Sequence, residues 1–204
     1  MKKRFMAATL ALVMLLSLTV MSFAATTSGF DDVPDDAWFA PGVIFCKKKG
    51  LMSGVSDKEF NPNGTMTRGM MAAVMWRAVG EPKIAEKDYG EKFTDVKPGA
   101  YYEKAIYWCR NNGVMSGYSN TEFGPDDNIT REQIVTVLWR YIGSPEAKAE
   151  AFVDRDQIAA YAVKAVDWAR NTKVVSGFSD GSFGPQALAT RAQVATIFRN
   201  YIGD

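Results

Sequence analysis

The chain has 204 residues, with 24 Lys and Arg against 23 Asp and Glu and a formal net charge of +1. It contains no histidine, which removes the commonest general base, metal ligand and pH sensor together. A nearly neutral chain also lacks the strongly basic face that a nucleic-acid partner demands.

In chain order, the first predicted element is a secretory leader over residues 1–24. Lys2, Lys3 and Arg4 form its positive start, an apolar stretch runs from Phe5 to Met21, and Ser22-Phe23-Ala24 places small residues at −3 and −1 of a cleavage site. The apolar run is nearly long enough to span a bilayer. The small-residue exit and the polar Thr26-Thr27-Ser28-Gly29 favour cleavage instead, and no cysteine stands there to take a lipid. Without those three cations, the 24 Lys and Arg become 21 against 23 carboxylates, and no later apolar segment approaches membrane-spanning length. The mature chain is expected outside the cytoplasm and free of the membrane.

The rest divides into three copies of one unit, at 30–80, 93–143 and 152–203, joined by charged connectors at 81–92 and 144–151. Thr67-Arg68, Thr130-Arg131 and Thr190-Arg191 mark the repeat, and Ser53-Gly54, Ser116-Gly117 and Ser176-Gly177 keep the same offsets. Each unit opens on Phe-x-Asp (Phe30-Asp32, Phe93-Asp95, Phe152-Asp154) and closes on Gly80, Gly143 or Gly203. An aromatic (Trp38, Tyr101, Tyr161) precedes each Ser-Gly, and a Phe-x-Pro turn follows it at Phe60, Phe123 and Phe183. So many landmarks in one order identify an array of repeats.

Each unit reads as helix–loop–helix. In the second, Tyr101, Ala105, Ile106, Trp108 and Cys109 recur at helical spacing up to Gly113, and a Ser/Gly/Asn/Pro-rich loop follows. Thr130 then caps a second helix, with Gln133 completing a capping box, and Ile134, Val137, Leu138 and Tyr141 form its apolar stripe. Trp76 and Trp139, with Phe198 as the third copy, read as core. No segment alternates with period two, so the fold class is mainly α, with very short strands at most. In repeat 1, Gly69 and Met70 prevent a capping box, which predicts a looser first turn behind Arg68.

The ordered string of Phe-x-Asp-Val, aromatic, apolar helix, Gly-Val-Met-Ser-Gly, Phe-Gly-Pro and Ile-Thr-Arg-Glu-Gln resembles the S-layer homology (SLH) repeat. The resemblance covers nearly all of the mature chain. It implies one pseudo-threefold helical domain, with one helix per repeat in a central bundle and the others projecting as prongs. It further implies grooves that bind the secondary cell-wall polymer attached to peptidoglycan, often ending in pyruvylated N-acetylmannosamine, and a location at the cell wall or S-layer. The family's key arginine matches Arg68, Arg131 and Arg191. Trp38, Tyr101 and Tyr161 match its opening aromatic, and Ser53, Gly54, Ser116, Gly117, Ser176 and Gly177 match the loop lining the same region. Repeat 1 lacks the acidic or amide residue after Thr-Arg-x, and repeat 3 has an extra residue before Tyr161.

The residue types suit an acidic sugar on their own account. An arginine just after a helix N-cap lies where free amides favour an anion, and its guanidinium can grip a carboxylate in bidentate fashion. Aromatic faces suit a pyranose, and glycine admits close approach of the backbone. The alternatives are an ordinary solvated arginine or an inter-repeat salt bridge, interhelical packing for the aromatics, and turn-forming roles for Asp32, Asp95 and Asp154. No paired carboxylates or nucleophile–base couple stands out, so catalysis is not expected, and no cofactor or metal is implied. The rival function is a surface protein–protein module using the Ser56–Phe60, Ser119–Phe123 and Ser179–Phe183 loops, which lack a calcium loop's ligands. Cys46 and Cys109 stand where repeat 3 has Ala169, and read as core thiols, the alternative being a disulfide between them if their helices meet closely.

Overall fold

The structure, a computed structural model, describes residues 27–203; the leader reading therefore lies outside the described residues. The described residues contain six helices: α1 (Ala40–Lys48), α2 (Arg68–Ala78), α3 (Glu103–Asn111), α4 (Arg131–Tyr141), α5 (Val163–Asn171) and α6 (Arg191–Ile202). Single 3₁₀ turns occur at Glu86–Asp88 and Arg155–Gln157. Among the described residues, β pairing is confined to three isolated bridges, Thr65 with Thr190, Thr67 with Asn128 and Thr130 with Leu188.

Each repeat contributes two helices. The second starts on a threonine in extended conformation, whose hydroxyl accepts a hydrogen bond from an amide that no helical carbonyl can reach. Thr67 accepts from Met70, and Thr130 and Thr190 accept from Gln133 and Gln193. The glutamines reply to the cap's own amide, so the expected boxes close in repeats 2 and 3 and not in repeat 1.

The main helix packing is between repeats: α2 lies on α3, α4 on α5, and α6 returns to α1. A ring of backbone hydrogen bonds also joins the three repeats to one another. Met66 N–H donates to Ala189 O (2.9 Å), Ala189 N–H to Ile129 O (3.0 Å), and Ile129 N–H to Met66 O (2.9 Å). All three residues are buried, so each unit supplies one side of a triangle that none can form alone. Fifty-residue units with small cores gain stability from such neighbours.

Within each unit the opening aspartate acts as the turn former. Asp32 accepts from the amides of Phe60 and Asn61, Asp95 from Phe123 and Gly124, and Asp154 from Phe183 and Gly184. The two repeat phenylalanines meet at 5.4–5.6 Å between centroids. A cation from the first helix covers the opening ring in every copy: Lys47 on Phe30 at 4.3 Å, Arg110 on Phe93 at 4.7 Å and Arg170 on Phe152 at 4.1 Å.

Some core expectations need correction. Trp76 and Trp139 are half-buried, because each indole N–H reaches a connector carbonyl, Pro82 O or Pro145 O. Phe198 is fully buried, yet counted from Thr-Arg it is in register with Met75 and Leu138, one residue away from the tryptophan position. Tyr141 is exposed at the end of its stripe. Conversely Tyr89, inside the 81–92 segment, is buried and stacks on Tyr107 at 4.1 Å. Cys46 and Cys109 are free thiols in different helix pairs, pointing at Ala195 O and Ala72 O, and burial pushes each up to about 12.

Candidate functional site: three inter-repeat grooves

Three grooves lie between the helix pairs, each built by all three repeats. One joins Arg68, Ser116-Gly117 and Tyr161 along α4. The second joins Arg131, Ser176-Gly177 and Trp38 along α6. The third joins Arg191, Ser53-Gly54 and Tyr101 along α2. All twelve residues singled out in the sequence therefore line grooves, one arginine, one Ser-Gly pair and one aromatic to each. Their volumes are about 240, 590 and 440 Å³ in that order, so the Arg131 groove is the roomiest.

The arginines are buried, and their first task is to tie neighbouring repeats together. Arg68 donates from Nε to Phe123 O (2.9 Å) and from Nη2 to Ser116 O (2.7 Å). Arg191 does the same to Phe60 O (2.7 Å) and Ser53 O (2.6 Å), which links the last repeat to the first. Arg131 donates from Nε to Phe183 O (2.8 Å), and among the described residues neither of its Nη groups has a hydrogen-bond partner. Each phenylalanine peptide is thus held on both sides, its N–H by the repeat's own aspartate and its C=O by the neighbour's arginine.

The guanidinium groups also lie over rings: Arg68 over Tyr118 and Phe123, Arg131 over Phe178 and Phe183, Arg191 over Phe60. Tyr118 and Phe178 escaped the sequence reading because repeat 1 has Val55 there. Burial pulls all three guanidinium pKa values below the ordinary arginine value. Carboxylates nearby, Asp95 and Asp127 for Arg68, Asp154 for Arg131 and Asp32 for Arg191, oppose that fall. An arginine stays charged under such conditions.

The helix N-termini themselves do not offer an anion site. Arg68 and Gly69 amides donate to Asp127 O and Pro125 O, both at 2.8 Å. Arg131 and Glu132 donate to Ala187 O and Pro185 O, and Arg191 and Ala192 to Gly64 O and Pro62 O. The neighbouring loop has taken the donors that the sequence left open.

Loop glycine also has a structural reason. A Cβ on Gly54, Gly117 or Gly177 would sit 2.5–2.6 Å from the ring of Phe30, Phe93 or Phe152. The serines beside them are exposed at the groove. The three aromatics lie in turns ahead of α1, α3 and α5 rather than in interhelical packing, with Trp38 65%, Tyr101 56% and Tyr161 48% exposed. Only Tyr161 is anchored. Its hydroxyl donates to Glu132 Oε1 (3.0 Å), and the same carboxylate accepts from Ala159 N–H (3.0 Å) and Gln186 Nε2 (2.8 Å). Burial, then the Glu132 hydrogen bond and charge, push the Tyr161 phenol up to about 12. Glu132 is buried, an unusual place for a carboxylate without three donors to meet it.

Behind Arg68 the capping box is absent as expected, the Thr67–Met70 cap bond is 3.2 Å, and Arg68 is tied to two backbone carbonyls of the neighbouring repeat. Gly69 exists because Pro125 O and the Tyr102 ring lie 2.9 and 3.0 Å from where its Cβ would be.

A closed triplet of helical repeats with three composite grooves defines a class of repeat module. The S-layer homology domain model matches at residues 29–72, 92–135 and 151–195, and the chain belongs to that family. It is similar to an endoglucanase of Bacillus sp. (strain KSM-635), at 29% identity over 96% of this chain and 22% of the relative. It is similar also to a surface-layer 125 kDa protein of Lysinibacillus sphaericus, at 25% identity over 98% of this chain and 17% of the relative. A cellulosome-anchoring protein of Acetivibrio thermocellus matches at 26% identity over 86% of this chain and 39% of its own length. The chain spans well under half the length of each of these relatives.

Proposed function

We propose that the chain is a non-catalytic anchoring module whose grooves bind the secondary cell-wall polymer attached to peptidoglycan, with an acidic, pyruvylated sugar as the unit recognised. Membership of the S-layer homology family puts it at the cell surface. The shared segment is a small part of relatives named as an endoglucanase, a surface-layer protein and a cellulosome-anchoring protein, which supports a role in attachment common to all. The observation that carries the reading is the composition of each groove. A buried charged guanidinium, an exposed aromatic face and a Ser-Gly loop converge from three different repeats. Cation and aromatic together suit the carboxylate and the apolar face of a sugar acid.

The test is co-sedimentation of the secreted chain with wall sacculi, before and after extraction of the secondary polymer, with and without a calcium chelator. Binding that disappears with the polymer and ignores the chelator supports the proposal. Binding that survives extraction, or needs calcium, points to a protein partner instead.

A further inference from the structure

The grooves differ at several positions on their helical walls, and in charge at the one nine residues after the Thr-Arg arginine: Arg77 on α2, Arg140 on α4 and Asn200 on α6. Arg77 is engaged, donating to Leu51 O (3.2 Å) and lying 3.9 Å from Glu81. Asn200 donates to Val174 O (3.3 Å). Arg140 is exposed and its side chain, among the described residues, has no hydrogen-bond, ion-pair or ring partner. It faces the groove near Tyr161, whose phenol feels its charge. The nearby Glu132 carboxylate does not take it, having Tyr161, Ala159 and Gln186 as donors already.

We propose that Arg140 is the specificity-determining residue of the Arg68 groove, reading a carboxylate on the sugar bound there. This rests on the carbohydrate reading above. Arg68 holds two backbone carbonyls with Nε and Nη2 and cannot present its full fork to a ligand. A planar acid needs two donors side by side, and a free guanidinium supplies them where an engaged one does not. Tyr161, fixed by Glu132, gives the sugar ring a rigid wall beside that cation. In the Arg191 groove both arginines are already engaged, so its Arg77 adds nothing comparable.

The experiment is an NMR titration of the full ¹⁵N-labelled chain with a disaccharide of N-acetylhexosamines bearing a terminal pyruvyl ketal, and with its methyl ester. The amides of Gly117, Gly177 and Gly54 report the three grooves separately. Arg140→Gln is expected to weaken acid binding at Gly117 by about fivefold or more, the scale of one well-formed exposed ion pair, while leaving the ester unchanged. Arg140→Lys should recover part of the loss. Equal losses for acid and ester, or no loss with Arg140→Gln, would overturn the assignment while leaving sugar binding intact. If neither disaccharide shifts any of the three amides, the carbohydrate reading falls and this assignment falls with it.

Discussion

Replacing Arg191 by alanine should be felt first as a loss of stability. The side chain makes two charge-assisted hydrogen bonds, to Phe60 O and Ser53 O, and lies 4.4 Å over the Phe60 ring. Such bonds contribute about 1.5–3 kcal/mol each and the ring contact about 1 kcal/mol. Desolvation of the buried guanidinium offsets part of that sum, leaving about 3 kcal/mol as the expected net loss. For a domain of this size that lowers Tm by about 6–12 °C. Arg191 joins the last repeat to the first, so the cost falls on closure of the ring. Differential scanning calorimetry of Arg191→Ala and Arg191→Lys against the parent provides the assay. Lysine keeps the charge and loses the fork, so it should fall between the two. Arg131→Ala, with one carbonyl bond to lose, should cost less than Arg191→Ala. A Tm within about 1 °C of the parent for Arg191→Ala would refute the reasoning, since that is the range of an ordinary surface substitution.

Gly69→Ala should destabilise by about 1–2 kcal/mol through overpacking against Tyr102 and Pro125 O, although helix propensity alone predicts a gain; a raised Tm would contradict this. Residues 93–143 cut out alone should show no cooperative thermal transition, because α3 and α4 pack on α2 and α5 of other repeats. Cys46 and Cys109 should resist iodoacetamide at pH 8 until denaturant is added. Burial stabilises their neutral form, so their contribution is complete below pH 9 and is lost as pH rises from 9 towards 12. Rapid alkylation of the native chain would count against that burial.

The helices were legible because their start signals are local: Thr67, Thr130 and Thr190 cap where the sequence says they should, and the two glutamine boxes close. Convergence of Arg68, Ser116 and Tyr161 in one groove was legible as a family pattern only, since these residues come from three different repeats. The hydrogen bonding of the arginines was not legible. Their partners are backbone carbonyls of Phe60, Phe123 and Phe183, and a carbonyl leaves no mark in residue type. The same holds for the helix amides that looked open to an anion and are filled by loop carbonyls. Glycine misled for a related reason: at Gly69 and Gly117 the missing Cβ makes room for Tyr102 and Phe93 in neighbouring segments. Glu132 carried a faint signal, as an acidic residue where repeat 3 has alanine, but its pairing with Tyr161 depends on the tertiary path of α4 against α5.

Hydroxyl-radical footprinting of the chain bound to purified wall polymer tests the central claim most directly. Trp38, Tyr101 and Tyr161 are exposed in the free chain and lie at the grooves, whereas Tyr141 and Val153 are exposed and absent from the groove linings. Groove binding predicts that polymer lowers oxidation at the first three and leaves Tyr141 and Val153 unchanged. Unaltered oxidation of Trp38, Tyr101 and Tyr161 in the bound complex, with protection at Tyr141 or Val153 instead, would contradict it.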